Sequence, residues 1–224
     1  MIHQVYWDFT QSGKTWRDIV KYKDNMLETQ YFCKVHNYEY KLWDLKDLEK
    51  LIEEDYPEYL DLFNGFRYNI QKADFARYCI LHKYGGLYID CDIRPMKNLD
   101  GVFDEWLYFV YWANSEKKLP YNAVMGCKKN NPLFLDIMKE CQRSYNEKSL
   151  IKKYDEWKGR FIFQTTGHFM LNRVMKKNNI NKDKYFHDDL YIRNPDKKDM
   201  EDIGDPHTAL FYDGNASVWY DNLI

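Results

Sequence analysis

Apolar positions in the first half of the chain alternate between two periods. Short apolar or alternating runs at residues 2–7 and 38–43 predict strands, whereas residues 16–35 carry apolar side chains at helical spacing. Two shorter helical patterns follow at residues 45–54 and 57–63. Helices that alternate with strands are typical of an α/β sheet. We therefore expect an α/β fold.

The longest helical pattern covers residues 69–84. Its apolar stripe consists of Ile70, Ala73, Ile80, Leu81 and Tyr84. Gly85-Gly86 ends the helix, because glycine tolerates the left-handed backbone found at many helix C-termini. A three-residue apolar strand at 87–89 then leads directly to Asp90.

The second half of the chain has shorter patterns. They predict strands at 107–112 and 123–127, helices at 132–145 and 167–177, and extended segments at 183–192 and 209–212. The sequence has no internal repeat, low-complexity segment or obvious linker. We therefore expect one domain over residues 1–224.

The charge balance argues against a nucleic-acid partner. The chain has 33 basic and 35 acidic side chains and a net charge of −2, too weak a field to hold a phosphate backbone. Apolar residues make up 45% of the sequence, which is enough for a core.

The cysteines and the hydropathy pattern indicate a reducing compartment. Five dispersed cysteines contain no C-x-x-C pair, which excludes a zinc ribbon and argues against a disulfide framework. No window approaches 18 apolar residues, and the chain begins without the basic and apolar regions of a signal peptide. We expect a cytoplasmic protein with no membrane span.

Asp90 and Asp92 form the first candidate site. In extended backbone, residues two apart point to the same side, roughly 6.5–7 Å apart, while Cys91 faces away into packing. Carboxylates in that arrangement suit Mg²⁺ or Mn²⁺, which could neutralise a departing nucleoside diphosphate. An Asp-x-Asp pair alone is a poor signal among 23 aspartates. Its place at the C-terminal end of a strand, where open α/β sheets bind ligands, gives it weight.

Asp74 and Arg77 are the second candidate pair. They lie three residues apart and share one face of the predicted helix. A surface ion pair is one interpretation. Because Arg77 adjoins the apolar stripe, we expect at least part of the pair to be buried, and a buried Asp–Arg pair suits sugar hydroxyls. The residues alone leave both interpretations open.

The pattern Ala-Asp-x-x-Arg-Tyr … Tyr-Gly-Gly-x-Tyr-x-Asp-x-Asp at residues 73–92 resembles the signature of glycosyltransferase family 32, the DXD-containing sugar transferases. Large clostridial glucosylating toxins have a related core. Shorter matches are Ile2-His3-Gln4 with Trp7, Asn122 with Gly126, Asn131-Pro132, Thr166-Gly167 and Ser217-Val218-Trp219. The resemblance implies a GT-A fold, with a Rossmann-like, mostly parallel central sheet flanked by helices. It also implies a nucleotide-sugar half, 1–100, and an acceptor half with a closing loop, 101–224.

The resemblance further implies a role for each matching position. It assigns donor contacts to Trp7, Asp74, Arg77, Tyr88, Asp90, Ser217 and Trp219, and catalysis to Asp74, Arg77, Asp90 and Asp92. Trp7 would stack on the nucleobase, and the Asp74–Arg77 pair would hold sugar hydroxyls. Asp90 would be shared between donor and metal, and Asp92 would be the firmer metal ligand.

A third protein ligand for Mn²⁺ (or Mg²⁺) is expected near the C-terminal Ser/Trp element. Asp213, Asn215 and His207 are the candidates, and we favour Asp213 because a carboxylate is the harder ligand.

The Thr-Gly segment at 166–167 lacks a proline often found in relatives, which leaves the acceptor side open. The family resemblance implies a retaining transfer of a hexosyl unit from a nucleoside diphosphate sugar to a glycan, lipid-linked or protein acceptor.

Two other functions are compatible with parts of the sequence. Ser12-Gly13-Lys14-Thr15 lies between a strand and a helix, as a phosphate-binding loop would. However, Asp8 occupies the position where such a loop needs its first glycine. A non-catalytic nucleotide-sugar or metal-binding module is the other alternative. The intact acidic pair argues against it, because clustered carboxylates are costly without a cation.

Overall fold

The structure is a computed structural model, and it describes residues 1–9, 13–111, 119–154, 157–192 and 207–213. Its strands are β1 (Ile2–Val5), β2 (Tyr40–Trp43), β3 (Gly86–Ile89), β4 (Ile93–Pro95), β5 (Leu107–Tyr111), β6 (Pro120–Cys127), β7 (Phe186–His187), β8 (Leu190–Ile192) and β9 (Phe211–Asp213). Its helices are α1 (Val20–Val35), α2 (Leu45–Asp55), α3 (Leu60–Gly65), α4 (Asn69–Tyr84), α5 (Asp100–Asp104), α6 (Pro132–Tyr145), α7 (Lys148–Lys153), α8 (Lys158–Thr165), α9 (His168–Lys177) and α10 (Lys182–Tyr185).

The central sheet has six strands in the order β2-β1-β3-β6-β5-β7. β1 runs parallel to both β2 and β3, and β7 runs parallel to β5. β6 is antiparallel to β3 and β5. A second sheet has the order β4-β9-β8. The predicted α/β class, with a mostly parallel central sheet flanked by helices, is confirmed.

Apolar side chains cover both faces of the central sheet. Leu107, Phe109 and Tyr111 pack on the face that α4 and α9 contact, and α2 and α6 extend the same core cluster. Tyr108 and Val110 point to the opposite face, towards a separate cluster that includes α5 and β9. This alternation follows from the two-residue period of a strand, and burial on both faces is typical of an α/β sheet.

Helix α4 has the predicted boundaries but is buried on more sides than its apolar stripe predicted. Every residue from Ala73 to Leu81 is buried, including Asp74 and Arg77. The reason is that α4 lies between α2, α6 and the central sheet. Such a helix has little solvent-facing surface, and its polar residues must therefore find partners inside the protein.

Gly85 and Gly86 end α4 as predicted. Both have positive φ angles, 67° and 86°. A Cβ on Gly85 would lie 2.5 Å from the backbone nitrogen of Lys129, and one on Gly86 would overlap the carbonyl oxygen of Met1. Glycine is therefore required both for the backbone conformation and for the close approach of neighbouring chain segments.

Several predicted boundaries were wrong. β1 ends at Val5 instead of residue 7, and residues 16–18 form a 3-10 turn before α1 begins at Val20. Within the segment predicted as extended, 183–192, the structure has a helix over Lys182–Tyr185, whose first turn is capped by the Asn181 side chain. Strand β4 and helices α5, α7 and α8 were not predicted, because α5 and α7 in particular are too short to show a period.

The five cysteines all lie in described segments, where they are buried and free of disulfide bonds. This agrees with the expectation from their spacing.

Across the ranges given above, no helix is both long and apolar enough to cross a membrane.

Candidate active site

A turn at the end of β3 presents the Asp-x-Asp pair. The amide of Ile93 donates to the carbonyl oxygen of Asp90 at 3.0 Å, so the backbone reverses over residues 90–93. The expectation that Asp90 and Asp92 lie in extended backbone was therefore wrong. Cys91 does face the interior as predicted, with 6% of its surface exposed. The two carboxylates lie at the C-terminal end of the strand, as expected for an α/β binding site.

Arg77 connects this turn to α4. Its Nη2 lies 3.0 Å from Oδ1 of Asp74, and its Nη1 lies 3.0 Å from Oδ1 of Asp90. Nη1 also donates to the carbonyl oxygen of Asn122 at 2.8 Å. The guanidinium side chain is 3% exposed. This excludes a surface ion pair, and the predicted burial of the Asp74–Arg77 pair is confirmed.

Asp74 has hydrogen-bond donors on both carboxylate oxygens. Nδ2 of Asn122 donates to Oδ1 at 2.9 Å, and Oγ1 of Thr166 donates to Oδ2 at 2.8 Å. Burial raises the pKa of Asp74 to about 6, although Arg77 and these donors act in the opposite direction. Burial alone would lower the pKa of Arg77, but the neighbouring Asp90, Tyr88 and Asp74 raise it.

Tyr88 joins the same network from β3. Its hydroxyl donates to Oδ1 of Asp90 at 2.6 Å, and the Arg77 guanidinium lies 4.6 Å from the centre of its ring. Both described contacts of the Asp90 carboxylate therefore use Oδ1. The Asp90 side chain is 31% exposed. Burial raises the pKa of Asp90, whereas Arg77 and the Tyr88 hydrogen bond act to lower it.

Asp213 lies beside the acidic turn. It pairs with Ile93 in the antiparallel β4–β9 ladder, which brings it next to Asp92. The Tyr121 hydroxyl donates to Oδ2 of Asp213 at 3.2 Å. The pKa of Tyr121 is raised well above its ordinary value by burial and then by Asp213, Asp92 and Asp90. One phenol therefore lies within the electrostatic influence of all three proposed metal ligands.

His207 and Asn215 are the other two candidates for the third ligand. The carbonyl oxygen of His207 accepts a hydrogen bond from Lys97, which is four residues beyond Ile93 along the chain. Asn215 lies outside the described residues, as do the predicted donor contacts Ser217 and Trp219.

Trp7 lies at the same edge of the sheet as Asp90. It follows β1, which is the parallel neighbour of β3, so both residues lie beyond the C-terminal ends of their strands. Trp7 is half-buried, and its ring centroid is 4.5 Å from that of Phe9. The Phe9 carbonyl oxygen accepts a hydrogen bond from Asn69 at the start of α4. The stacking role expected for Trp7 stays a prediction.

The segment that resembled a phosphate-binding loop has an internal partner. Oδ2 of Asp8 accepts a 2.7 Å hydrogen bond from the amide of Gly13. A phosphate-binding loop needs such amides for its ligand, and a carboxylate there would repel the phosphates. Residues 10–12 of this segment lie outside the described part of the chain. The contact disfavours a phosphate-binding loop here, and with it the interpretation as a P-loop-like nucleoside triphosphatase or kinase.

The donor set fits a hard divalent cation in its chemistry. Asp90, Asp92 and Asp213 offer carboxylate oxygens, which Mg²⁺ and Mn²⁺ prefer. Among the residues that the structure describes, no three His, Cys, Asp or Glu side chains are already grouped closely enough to hold an ion.

Four contributors to the site were not assigned a role from the sequence. They are Gln4, Tyr121, Asn122 and Thr166. Gln4, Asn122 and Thr166 belong to short matches to the family pattern, which was the available signal. Tyr121 had none, because its contact with Asp213 spans 92 residues along the chain.

The chain resembles known glycosyltransferases in sequence. Residues 11–109 match the family described as the glycosyltransferase sugar-binding region containing a DXD motif. Inositol phosphoceramide mannosyltransferase 3 of Schizosaccharomyces pombe is 35% identical over 108 residues, which cover 48% of this chain and 29% of that protein. An uncharacterized glycosyltransferase of Acanthamoeba polyphaga mimivirus is 30% identical over 151 residues, 66% of this chain and 57% of that protein. These matches confirm the resemblance to the DXD sugar transferases.

A longer alignment and one solved structure complete the comparison. Inositol phosphoceramide mannosyltransferase 2 of Schizosaccharomyces pombe is 28% identical over 227 aligned positions, 99% of this chain and 58% of that protein. The chain thus spans less than two thirds of the length of these relatives. The PaToxG glycosyltransferase structure superposes with a TM-score of 0.48 and 14% identity, over 79% of this chain and 67% of that chain.

Proposed function

We propose that this chain, which carries the sugar-binding region of the DXD glycosyltransferases, transfers a hexosyl unit from a nucleoside diphosphate sugar to a hydroxyl group. The observation that carries the proposal is the Arg77 guanidinium, which lies 3.0 Å from both Asp74 and Asp90. Arg77 thereby connects Asp74 on α4 with Asp90 of the Asp-x-Asp pair, so the two parts of the matched motif form one polar centre. That centre lies at the end of a sheet where α/β proteins bind ligands.

Asp90, Asp92 and Asp213 are proposed to hold Mn²⁺ (or Mg²⁺). Asp92 and Asp213 offer carboxylates on neighbouring segments, and Tyr121 orients Asp213 through its 3.2 Å hydrogen bond. Because Arg77 and Tyr88 both use Oδ1 of Asp90, its other oxygen is the one proposed for donor and metal. When bound, a divalent cation supplies positive charge that offsets the charge on a departing nucleoside diphosphate.

The donor is proposed to lie along the edge that Trp7 and Asp90 share. Trp7 offers a half-buried aromatic face to a nucleobase. Asp74 and Arg77 are proposed to orient the sugar, with Arg77 held in place by two carboxylates and the Asn122 carbonyl oxygen. Ser217 and Trp219 are proposed to contact the diphosphate from the C-terminal segment.

Transfer with retention of the anomeric configuration is part of the proposal, with the leaving diphosphate assisting attack by the acceptor hydroxyl on the same face. The acceptor is a glycan, lipid-linked or protein hydroxyl, and a role in polysaccharide synthesis fits the first of these. Two relatives are named inositol phosphoceramide mannosyltransferases, so mannose is the first donor sugar to test. NMR of the product's anomeric proton distinguishes retention from inversion.

The proposed location is the cytoplasm. It is supported by five buried thiols without disulfide bonds, a state typical of proteins from reducing compartments. Fractionation of the source cells, with the activity recovered in the cytosol, tests this point; recovery only in a secreted fraction contradicts it.

A donor panel tests the proposed function. UDP-glucose, UDP-galactose, UDP-N-acetylglucosamine and GDP-mannose are each added with Mn²⁺, and thermal unfolding is followed. A true donor at 100 times its Kd stabilises the folded protein by about 2.7 kcal/mol, which raises Tm. The shift should require Mn²⁺ and be lost in Asp92→Asn. Absence of a Mn²⁺-dependent shift with every donor, or an equal shift in the variant, contradicts the proposal.

A further inference from the structure

Gln4 is a fully buried amide in β1, an interior strand of the central sheet. It is 0% exposed, although the rest of this short strand packs as apolar core apart from His3. A buried primary amide costs stability unless its donors and acceptor find partners. The hydrogen-bond partners of Gln4 therefore show which parts of the structure its side chain connects.

The hydrogen bonds of Gln4 fix the orientation of its amide. The Tyr40 hydroxyl donates to Oε1 at 2.9 Å, and Nε2 donates to the carbonyl oxygen of Asp90 at 3.1 Å. A backbone carbonyl can only accept, so the amide nitrogen must be the atom that faces Asp90. Tyr40, one strand away on β2, supplies the donor for the remaining amide oxygen of Gln4.

The carbonyl oxygen that Gln4 contacts is also the one that closes the acidic turn. It accepts the Ile93 amide at 3.0 Å, so both of its lone pairs have donors. On the other side of the residue, the Asp90 amide donates to the carbonyl oxygen of Ala123 at 2.9 Å. The backbone of Asp90 is therefore held at both of its polar groups, one of them by a side chain from a neighbouring strand.

We propose that Gln4 is a positioning residue: it holds the turn over residues 90–93 so that the Asp90 and Asp92 carboxylates face the cation and the nucleoside diphosphate. Gln4 contacts neither carboxylate and acts through the Asp90 carbonyl oxygen. The metal-binding consequence rests on the proposed function, whereas the effect on the turn does not.

Two variants separate this role from general packing. Gln4→Met keeps the length of the side chain but removes its donor and acceptor. Tyr40→Phe leaves Gln4 in place and removes the hydroxyl that donates to its Oε1. The matched control is Gln71→Met, because Gln71 is also 0% exposed and its Nε2 donates to Oγ1 of Thr165 at 2.7 Å.

The first measurement uses the metal-free protein. Amide hydrogen exchange at Ile93 reports opening of the turn, because that amide donates to the Asp90 carbonyl oxygen. We expect Gln4→Met to speed exchange at Ile93 by about tenfold, the effect of losing one buried hydrogen bond. Tyr40→Phe should give a smaller change in the same direction. Gln71→Met should lower Tm without a selective change at Ile93.

The second measurement is the binding of Mn²⁺, followed by the EPR signal of the free ion in the presence of UDP or GDP. We expect the half-saturating Mn²⁺ concentration to rise about tenfold in Gln4→Met and to stay at the wild-type value in Gln71→Met.

The proposal is overturned if Gln4→Met matches wild type in both measurements. If Gln4→Met does not fold, the same result in Tyr40→Phe overturns it. It is also overturned if Gln71→Met changes both equally. If wild type binds no Mn²⁺ while Ile93 exchange responds as expected, the proposed function fails and the role of Gln4 in the turn stands.

Discussion

Arg77 and Asp90 are joined by a 3.0 Å contact between Nη1 and Oδ1. The contact connects the buried helix α4 to the turn after β3. Because the same guanidinium also lies 3.0 Å from Asp74, one buried cation balances two carboxylates. The arrangement of the acidic turn therefore depends on a residue that is itself withdrawn from solvent.

Replacing Arg77 should strongly destabilise the fold. Arg77→Met leaves Asp74 and Asp90 without their shared cation, and breaking a buried ion pair in this way costs about 3–5 kcal/mol. Urea unfolding at neutral pH measures the loss. Lys139→Met is the control, because it removes an exposed cation from α6. A loss below about 1 kcal/mol in Arg77→Met, similar to that of the control, contradicts the described network.

The buried histidine of β1 should make stability depend on pH. His3 is 0% exposed, and the Trp43 indole donates to its Nδ1 at 3.2 Å, so the proton lies on Nε2, which donates to the Gly85 carbonyl oxygen. Burial lowers the pKa of His3 from 6.5 to about 4. Between these values the unfolded chain binds a proton that the folded protein does not, so stability falls as pH falls from 6.5 to 4.

The variant His3→Asn isolates this effect. Wild type should lose about 3 kcal/mol more unfolding free energy than His3→Asn between pH 6.5 and 4. The comparison is needed because burial also lowers the pKa of His168 to about 4, while Asp74, with its pKa raised to about 6, changes stability in the opposite direction. The exposed His36→Asn serves as control. Equal pH slopes in wild type and His3→Asn would show that His3 titrates normally.

The helix-ending glycine should not tolerate a side chain. Gly85→Ala forces a positive φ of 67° on alanine and sets a Cβ 2.5 Å from the Lys129 nitrogen. We expect a loss of more than about 1 kcal/mol in unfolding free energy. Gly101→Ala is the matched control, since a Cβ there meets nothing within 4 Å. An equally small change in both variants would contradict the close approach seen at Gly85.

Local patterns predicted α4, its glycine end and the delivery of Asp90 by β3. The burial of Arg77 also followed from its place beside the apolar stripe. These features depend on residues within one or two turns of each other, where spacing alone carries the information.

The rest of the site depends on contacts between distant segments. Asn122 and Thr166 reach Asp74 across 48 and 92 residues, and no local period encodes such approaches. The turn at 90–93 was mistaken for extended backbone, and the contact that Gln4 makes with its carbonyl oxygen comes from another strand, 86 residues away. The neighbourhood of Asp213 likewise follows from strand pairing and not from its own sequence context.

The most direct test of the account is Mn²⁺-dependent turnover of nucleotide sugars by wild type and Asp92→Asn. Release of UDP or GDP is measured with the four donors above, with and without EDTA, and unfolding in urea checks that the variant remains folded. The account predicts release from at least one donor that EDTA abolishes, and a loss of about 100-fold or more in folded Asp92→Asn, comparable to removing one group that stabilises developing charge. Undiminished release by Asp92→Asn in EDTA would contradict it.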